Sequence, residues 1–215
     1  MPCIACQTRR LPNDRDHHAW HPACRLLSFS EYVTTFRFLL LPGWHDSGPD
    51  HWQSRWQALY SDVRVEQHDW VRPLRGDWMS QLEDAVLASD APVVLVAHSM
   101  GCLLVAAWAA HSKNTGRVKG AFLVAPGDLE QEALRGPLPG WQPIVRQPLP
   151  FPAVLVGSRD DPYCELERAR GLATDWGATF VDYGARGHLN AESGLGDWPE
   201  GRQMLTDLLN KETDK

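Results

Sequence analysis

Three residue types that together can activate a hydroxyl group lie far apart in this chain, each just after an apolar run. Ser99 stands in Ala97-His98-Ser99-Met100-Gly101, directly after Pro92-Val93-Val94-Leu95-Val96 and ahead of a helix-like segment. A serine on a strand-to-helix turn, with small residues two positions before and after it, matches the strained elbow that lifts a nucleophile clear of the backbone. Ala97 stands where that pattern has glycine, so the pentapeptide departs from G-x-S-x-G by one methyl group. The competing reading of Ser99 is a hydroxyl that caps the helix after a buried strand.

A nucleophilic serine needs a base to take its proton and an acid to orient that base. Gly157-Ser158-Arg159-Asp160-Asp161-Pro162 follows the apolar run 153–156, and Gly184-Ala185-Arg186-Gly187-His188 follows the run 179–183. Either aspartate can face the imidazole of His188. Pro162 fixes the turn just after Asp161 and favours it, which leaves Asp160 as a cap for the helix starting near Glu165 or as a solvated charge. Gly187 suggests a backbone held in a special conformation to aim the His188 ring. Serine, aspartate, histidine is the chain order of the α/β-hydrolases. Open parallel sheets gather their working groups at the carboxyl ends of strands, where all three residues fall.

The elements that must position them alternate. Strands are expected at 36–41, 63–67, 93–97, 121–124, 153–156 and 179–182, and helices at 50–60, 77–88, 100–111, 165–176 and 201–211. This pattern predicts an α/β-hydrolase fold: a doubly wound, mostly parallel sheet of about six strands in a three-layer α/β/α sandwich, without a large cap domain. Runs as apolar as 93–97 suit a sheet covered on both faces.

The chain resembles the RBBP9/YdeN family of small serine hydrolases over roughly residues 35–212. The residues that carry the resemblance are Leu41-Pro42-Gly43-Trp44, His51-Trp52-Gln53 with Trp56, His98-Ser99-Met100-Gly101, the segment 157–162, and Gly187-His188. It implies Ser99 as nucleophile, Asp161 as acid and His188 as base. It also implies an oxyanion hole formed by the backbone N–H groups of Trp44 and Met100. The implied reaction is acyl transfer through an acyl-enzyme, with a small ester or related acyl compound as substrate and no metal or organic cofactor.

Other residues invite roles around such a centre. His45, in the loop after the first strand, is a candidate substrate-binding residue, with His51 either beside it or in the first helical turn after a cap at Asp50. His98 precedes the serine on a strand, so its side chain is expected to point away from that of Ser99. Trp52, Trp56 and Trp108 read as core. The Pro- and Gly-rich segment 126–150, with Leu138 and Trp141, reads either as a flap over the acyl pocket, with Trp141 touching substrate, or as a plain connection.

The first 34 residues differ in character. They hold Cys3, Cys6 and Cys24, three of the five cysteines, together with His17, His18 and His21. A zinc knuckle is conceivable, but the spacing matches no standard finger. The preferred reading is a disordered extension or a start-site artefact, with the folded domain at 35–212 and Val33 as an alternative start. No apolar h-region marks a secretory signal, and the core cysteines Cys102 and Cys164 call for no disulfide framework, so the cytoplasm is the default location.

Composition excludes further classes. A net charge of −6 without a basic stripe argues against a nucleic-acid partner. The apolar run 103–110 is too short to span a bilayer. A hydrolase-fold binding module is the alternative to an enzyme, because a vertebrate member of the family is described as using a Leu-x-Cys-x-Glu motif. No such pentapeptide occurs here.

Overall fold

The computed structural model describes residues 36–213. The expectations for residues 1–34, extension or knuckle, fall outside them. In chain order the elements are β1 (Arg37–Leu41), α1 (Trp52–Tyr60), β2 (Val63–Arg64), α2 (Arg75–Leu87), β3 (Val93–His98), α3 (Met100–Ala109), β4 (Val118–Val124), α4 (Glu132–Arg135), β5 (Ala153–Gly157), α5 (Leu166–Trp176), β6 (Thr179–Asp182) and α6 (Pro199–Thr213). The six strands form one parallel sheet in the order β2-β1-β3-β4-β5-β6.

Strand alternation divides the core between the two faces of this sheet. Leu39, Leu41, Val93, Leu95, Ala97 and Leu123 face one layer with Trp78 and Leu82 of α2, the buried length of α3, and Leu172 and Trp176 of α5. Leu40, Val94, Val96, Phe122 and Val124 face the other, against Trp52 and Trp56 of α1 and Leu205 of α6. Both faces are therefore covered, as the apolar runs required. No helix among the described residues is long and apolar enough to cross a membrane.

Element boundaries depart from the sequence reading where pairing decides them. The second strand shrinks to Val63–Arg64, because only these residues align with Leu39 and Leu40 at the sheet edge. The central β4 starts earlier than expected, at Val118, because Val93 of β3 gives it a partner there. The α1 cap is His51 rather than Asp50: its Nδ1 accepts the Gln53 N–H at 3.1 Å. The short α4 inside the Pro- and Gly-rich segment was not anticipated.

Buried tryptophans tie the connections to the layers, since an indole N–H taken from water must find an acceptor. Trp56 donates to the Asp197 carbonyl at 2.7 Å, Trp176 to Val145 at 2.7 Å, and Trp108 to the Glu83 carboxylate at 2.6 Å. An ion pair with a buried carboxylate adds to these ties. Arg202 of α6 donates to Asp62 at 2.5 Å and lies over the rings of Phe38, Trp56 and Tyr60. Burial raises the Asp62 carboxyl above its usual range against the opposing pull of Arg202. Removing one partner of such a pair strands the other charge. Arg202→Met is expected to cost about 3 kcal/mol of unfolding free energy, measured by urea denaturation, and Asp62→Asn in the same background should recover part of the loss.

Candidate active site

Ser99 sits in the one-residue turn between β3 and α3 with φ 55° and ψ −123°, a region that a non-glycine residue enters only under strain. Its surroundings hold it there. A Cβ on Gly101 would lie 2.2 Å from the Leu41 carbonyl oxygen, and one on Gly43 would lie 2.7 Å from the Ser99 Cβ. The β1 loop and the serine turn approach so closely that neither position has room for a side chain. The Ser99 N–H donates to the Val124 carbonyl at 3.0 Å, and Ala97, fully buried at the end of β3, accommodates the extra methyl within the core. The serine occupies the helix-cap position but makes no cap hydrogen bond.

Its hydroxyl instead meets His188. Ser99 Oγ lies 2.9 Å from Nε2, and Nδ1 lies 2.9 Å from both carboxylate oxygens of Asp161. With Nδ1 facing a carboxylate, the neutral ring carries its proton there and leaves the Nε2 lone pair for the serine. The histidine and aspartate side chains are 8% and 2% exposed. Asp161 Oδ1 also accepts the Tyr163 N–H at 2.9 Å.

The two aspartates thus divide their tasks. Asp160 does not cap α5, whose N-cap residue Glu165 makes no side-chain cap bond. Asp160 accepts from the Gly187 N–H at 2.7 Å and from the Ser158 hydroxyl at 2.9 Å, and these bonds hold its carboxyl below the usual range. Gly187, at φ 58°, has the left-handed conformation its residue type suggested. His98 follows the alternation of its strand and lies on the face of Val94 and Val96, against Trp52. Its ring lines the same cavity as Ser99 and lies 4.8 Å from that of His188.

Trp44 and Met100 both line the cavity at Ser99. Among the described residues neither N–H has a backbone acceptor. The cavity measures about 410 Å³ and is lined by Leu129, Leu134 and Leu138 as well as by His45 and His51. His45 stacks on Trp44 at 4.3 Å. Trp141 is a correction: it is 1% exposed in the core, edge-on to Trp78, and donates to the Pro73 carbonyl at 2.9 Å. The segment that carries it contributes three leucines, Leu129, Leu134 and Leu138, to the cavity lining. Sequence reasoning passed over Leu129, Leu134 and Tyr163, which no motif marks.

Two further histidines at the cavity stay neutral. Burial, then the nearby Arg64 and His188, lowers His51 to about 3. Burial, with His51 and His188 close by, holds His98 well below the usual imidazole range. Burial raises the Cys102 thiol and pushes that of Cys164 up to about 12, so neither is a nucleophile at neutral pH. Among the described residues no group of three or more His, Cys, Asp or Glu side chains is placed to hold a metal ion.

No curated protein matches the chain. Among solved structures, a putative YdeN-like hydrolase from Pectobacterium atrosepticum is 28% identical with a TM-score of 0.71, covering 82% of this chain and 91% of its own. The ydeN gene product of B. subtilis is 17% identical with a TM-score of 0.67, covering 82% and 100%. Est1E of Butyrivibrio proteoclasticus, solved with ferulic acid bound, is 14% identical with a TM-score of 0.62 over 80% and 89%. The last two show a shared fold alone. The serine hydrolase family matches residues 38–207, and with the serine at the strained elbow of that fold, the chain belongs to the serine hydrolase family.

Proposed function

We propose that the protein is a carboxylesterase that cleaves a small ester through an acyl-enzyme on Ser99. The observation that carries this reading is the unbroken line from the Ser99 hydroxyl through His188 to Asp161, 2.9 Å at each step, opening on a cavity. In acylation, Ser99 Oγ bonds to the ester carbonyl carbon while Nε2 of His188 takes its proton. The resulting imidazolium is stabilised by the Asp161 carboxylate. Negative charge collects on the former carbonyl oxygen, where the N–H groups of Trp44 and Met100 are the available donors; one such donor is worth on the order of 3 kcal/mol. His188 then gives its proton to the departing alkoxide, and the C–O bond breaks. In deacylation it takes a proton from water, whose oxygen attacks the acyl carbon, and then gives that proton to Ser99 Oγ as the acyl C–O bond breaks and the acid leaves.

The leucine wall and a volume of about 410 Å³ favour a compact apolar acyl group. A fluorophosphonate probe is expected to label the wild-type protein and not Ser99→Ala, as read by intact-protein mass spectrometry. A wild-type protein that stays unlabelled and inert towards p-nitrophenyl butyrate overturns the esterase in favour of a binding module.

The two aspartates give a second expectation. Asp161→Asn should lower kcat by about 10⁴, the scale for loss of an acid that fixes the imidazole tautomer. Asp160→Asn, which alters only contacts to Gly187 and Ser158, should lower it far less. A larger loss at Asp160 would reverse the assignment.

A further inference from the structure

We propose that His98 and Trp52 are positioning residues that hold the catalytic imidazole by its own backbone. This inference rests on the acyl-transfer reading above. The base lies between two left-handed residues, Gly187 at φ 58° and Leu189 at φ 50°. A leucine does not enter that region unaided, so the conformation that points His188 at Ser99 has to be imposed from outside the loop.

Hydrogen bonds on successive peptide groups impose it. On one side, the Arg186 N–H donates to the Ser158 hydroxyl at 2.9 Å and the Gly187 N–H to Asp160 at 2.7 Å. On the other, His98 Nε2–H donates to the carbonyl oxygen of His188 at 2.9 Å, and the indole N–H of Trp52 donates to that of Leu189 at 2.9 Å. Both of these contacts are buried, and they join segments 90 and 137 residues apart. The two donors also brace one another. The rings of Trp52 and His98 stand perpendicular at 6.2 Å, and His51 meets the His98 ring edge-on at 4.7 Å.

The tautomer of His98 follows from its partner. A carbonyl oxygen only accepts, so Nε2 carries the proton. Burial keeps the ring uncharged, which matters because His188 becomes an imidazolium during turnover only 4.8 Å away. A lysine or arginine in this place would make the same hydrogen bond while opposing that charge.

The experiment compares His98→Leu, His98→Gln, Trp52→Phe and the His98→Leu/Trp52→Phe double variant on p-nitrophenyl butyrate. Active sites are counted by fluorophosphonate titration, and stability is followed by urea denaturation. A base displaced by about 1 Å costs about 100-fold in rate. His98→Leu is therefore expected to lose about 10- to 100-fold in kcat per active site, with KM nearly unchanged and a shifted acid limb in its pH–rate profile. His98→Gln, which restores an N–H near the same point, should recover most of the loss. Trp52→Phe should lose less, and the double variant should fall short of the product of the two losses, because both act on one loop.

Unchanged kcat per active site in His98→Leu, or a His98→Gln variant no better than it, overturns the proposal even if stability falls. Should His98→Leu not fold, Trp52→Phe and His98→Gln decide: equal kcat per active site and unshifted pH profiles in both overturn it. A wild-type protein that neither labels nor turns over ester instead removes the acyl-transfer reading beneath it.

Discussion

The close approach of two backbones, the β1 loop at Gly43 and the serine turn closed by Gly101, is the constraint from which the rest of this structure follows. With a Gly101 Cβ position only 2.2 Å from the Leu41 carbonyl oxygen, helix α3 is pressed against the end of β1 as tightly as main chains can pack. That contact leaves Ser99 no relaxed conformation. A residue held at φ 55° costs of order 1–3 kcal/mol, offset by a β3 strand in which every residue is buried and by an α3 helix whose first nine residues are buried as well. The serine is strained because its neighbours on both sides cannot move.

Sheet topology explains why the other groups converge on it. The chain moves from β1 outward to β2, then returns to place β3 on the opposite side of β1. Loops leaving β1 and β3 diverge at that switch point and open a crevice above the strand ends. Trp44 enters it from the β1 loop and Met100 from the start of α3. Gly157 of β5 pairs with Asp182 of β6, so the two strands end side by side. Their following loops then carry Asp161 and His188 within reach of one another, while the connection after β4 supplies the leucines that wall the cavity.

Whatever depended on local rules was readable from the chain. The elbow, the aspartate before a proline and the glycine before a histidine are short-range requirements of turn geometry, and short apolar runs between helical stretches located the six strands. Trp141 was misread because composition marks a large aromatic in a flexible-looking segment as a contact residue, whereas its N–H is taken by the Pro73 carbonyl, 68 positions earlier in the chain. Leu129, Leu134 and Tyr163 carry no local signature at all; their place at the cavity exists only once β4, β5 and their loops have packed.

The electrostatics around the base have the same origin. Four histidines lie at this cavity, His45, His51, His98 and His188, and a proton leaving Ser99 would have competing destinations if the others were as basic as free imidazole. Burial removes that competition at the two nearest the base: His51 is lowered to about 3 and His98 is held well below its ordinary value. Arg64, the cation that helps depress His51, is itself paired with Asp46 at the cavity wall. Asp161 is the carboxylate in direct contact with the His188 ring. Burying two imidazoles beside a third therefore does more than fill space. It surrounds His188 with uncharged rings, so that in the proposed reaction His98 can grip the loop without opposing an imidazolium charge there.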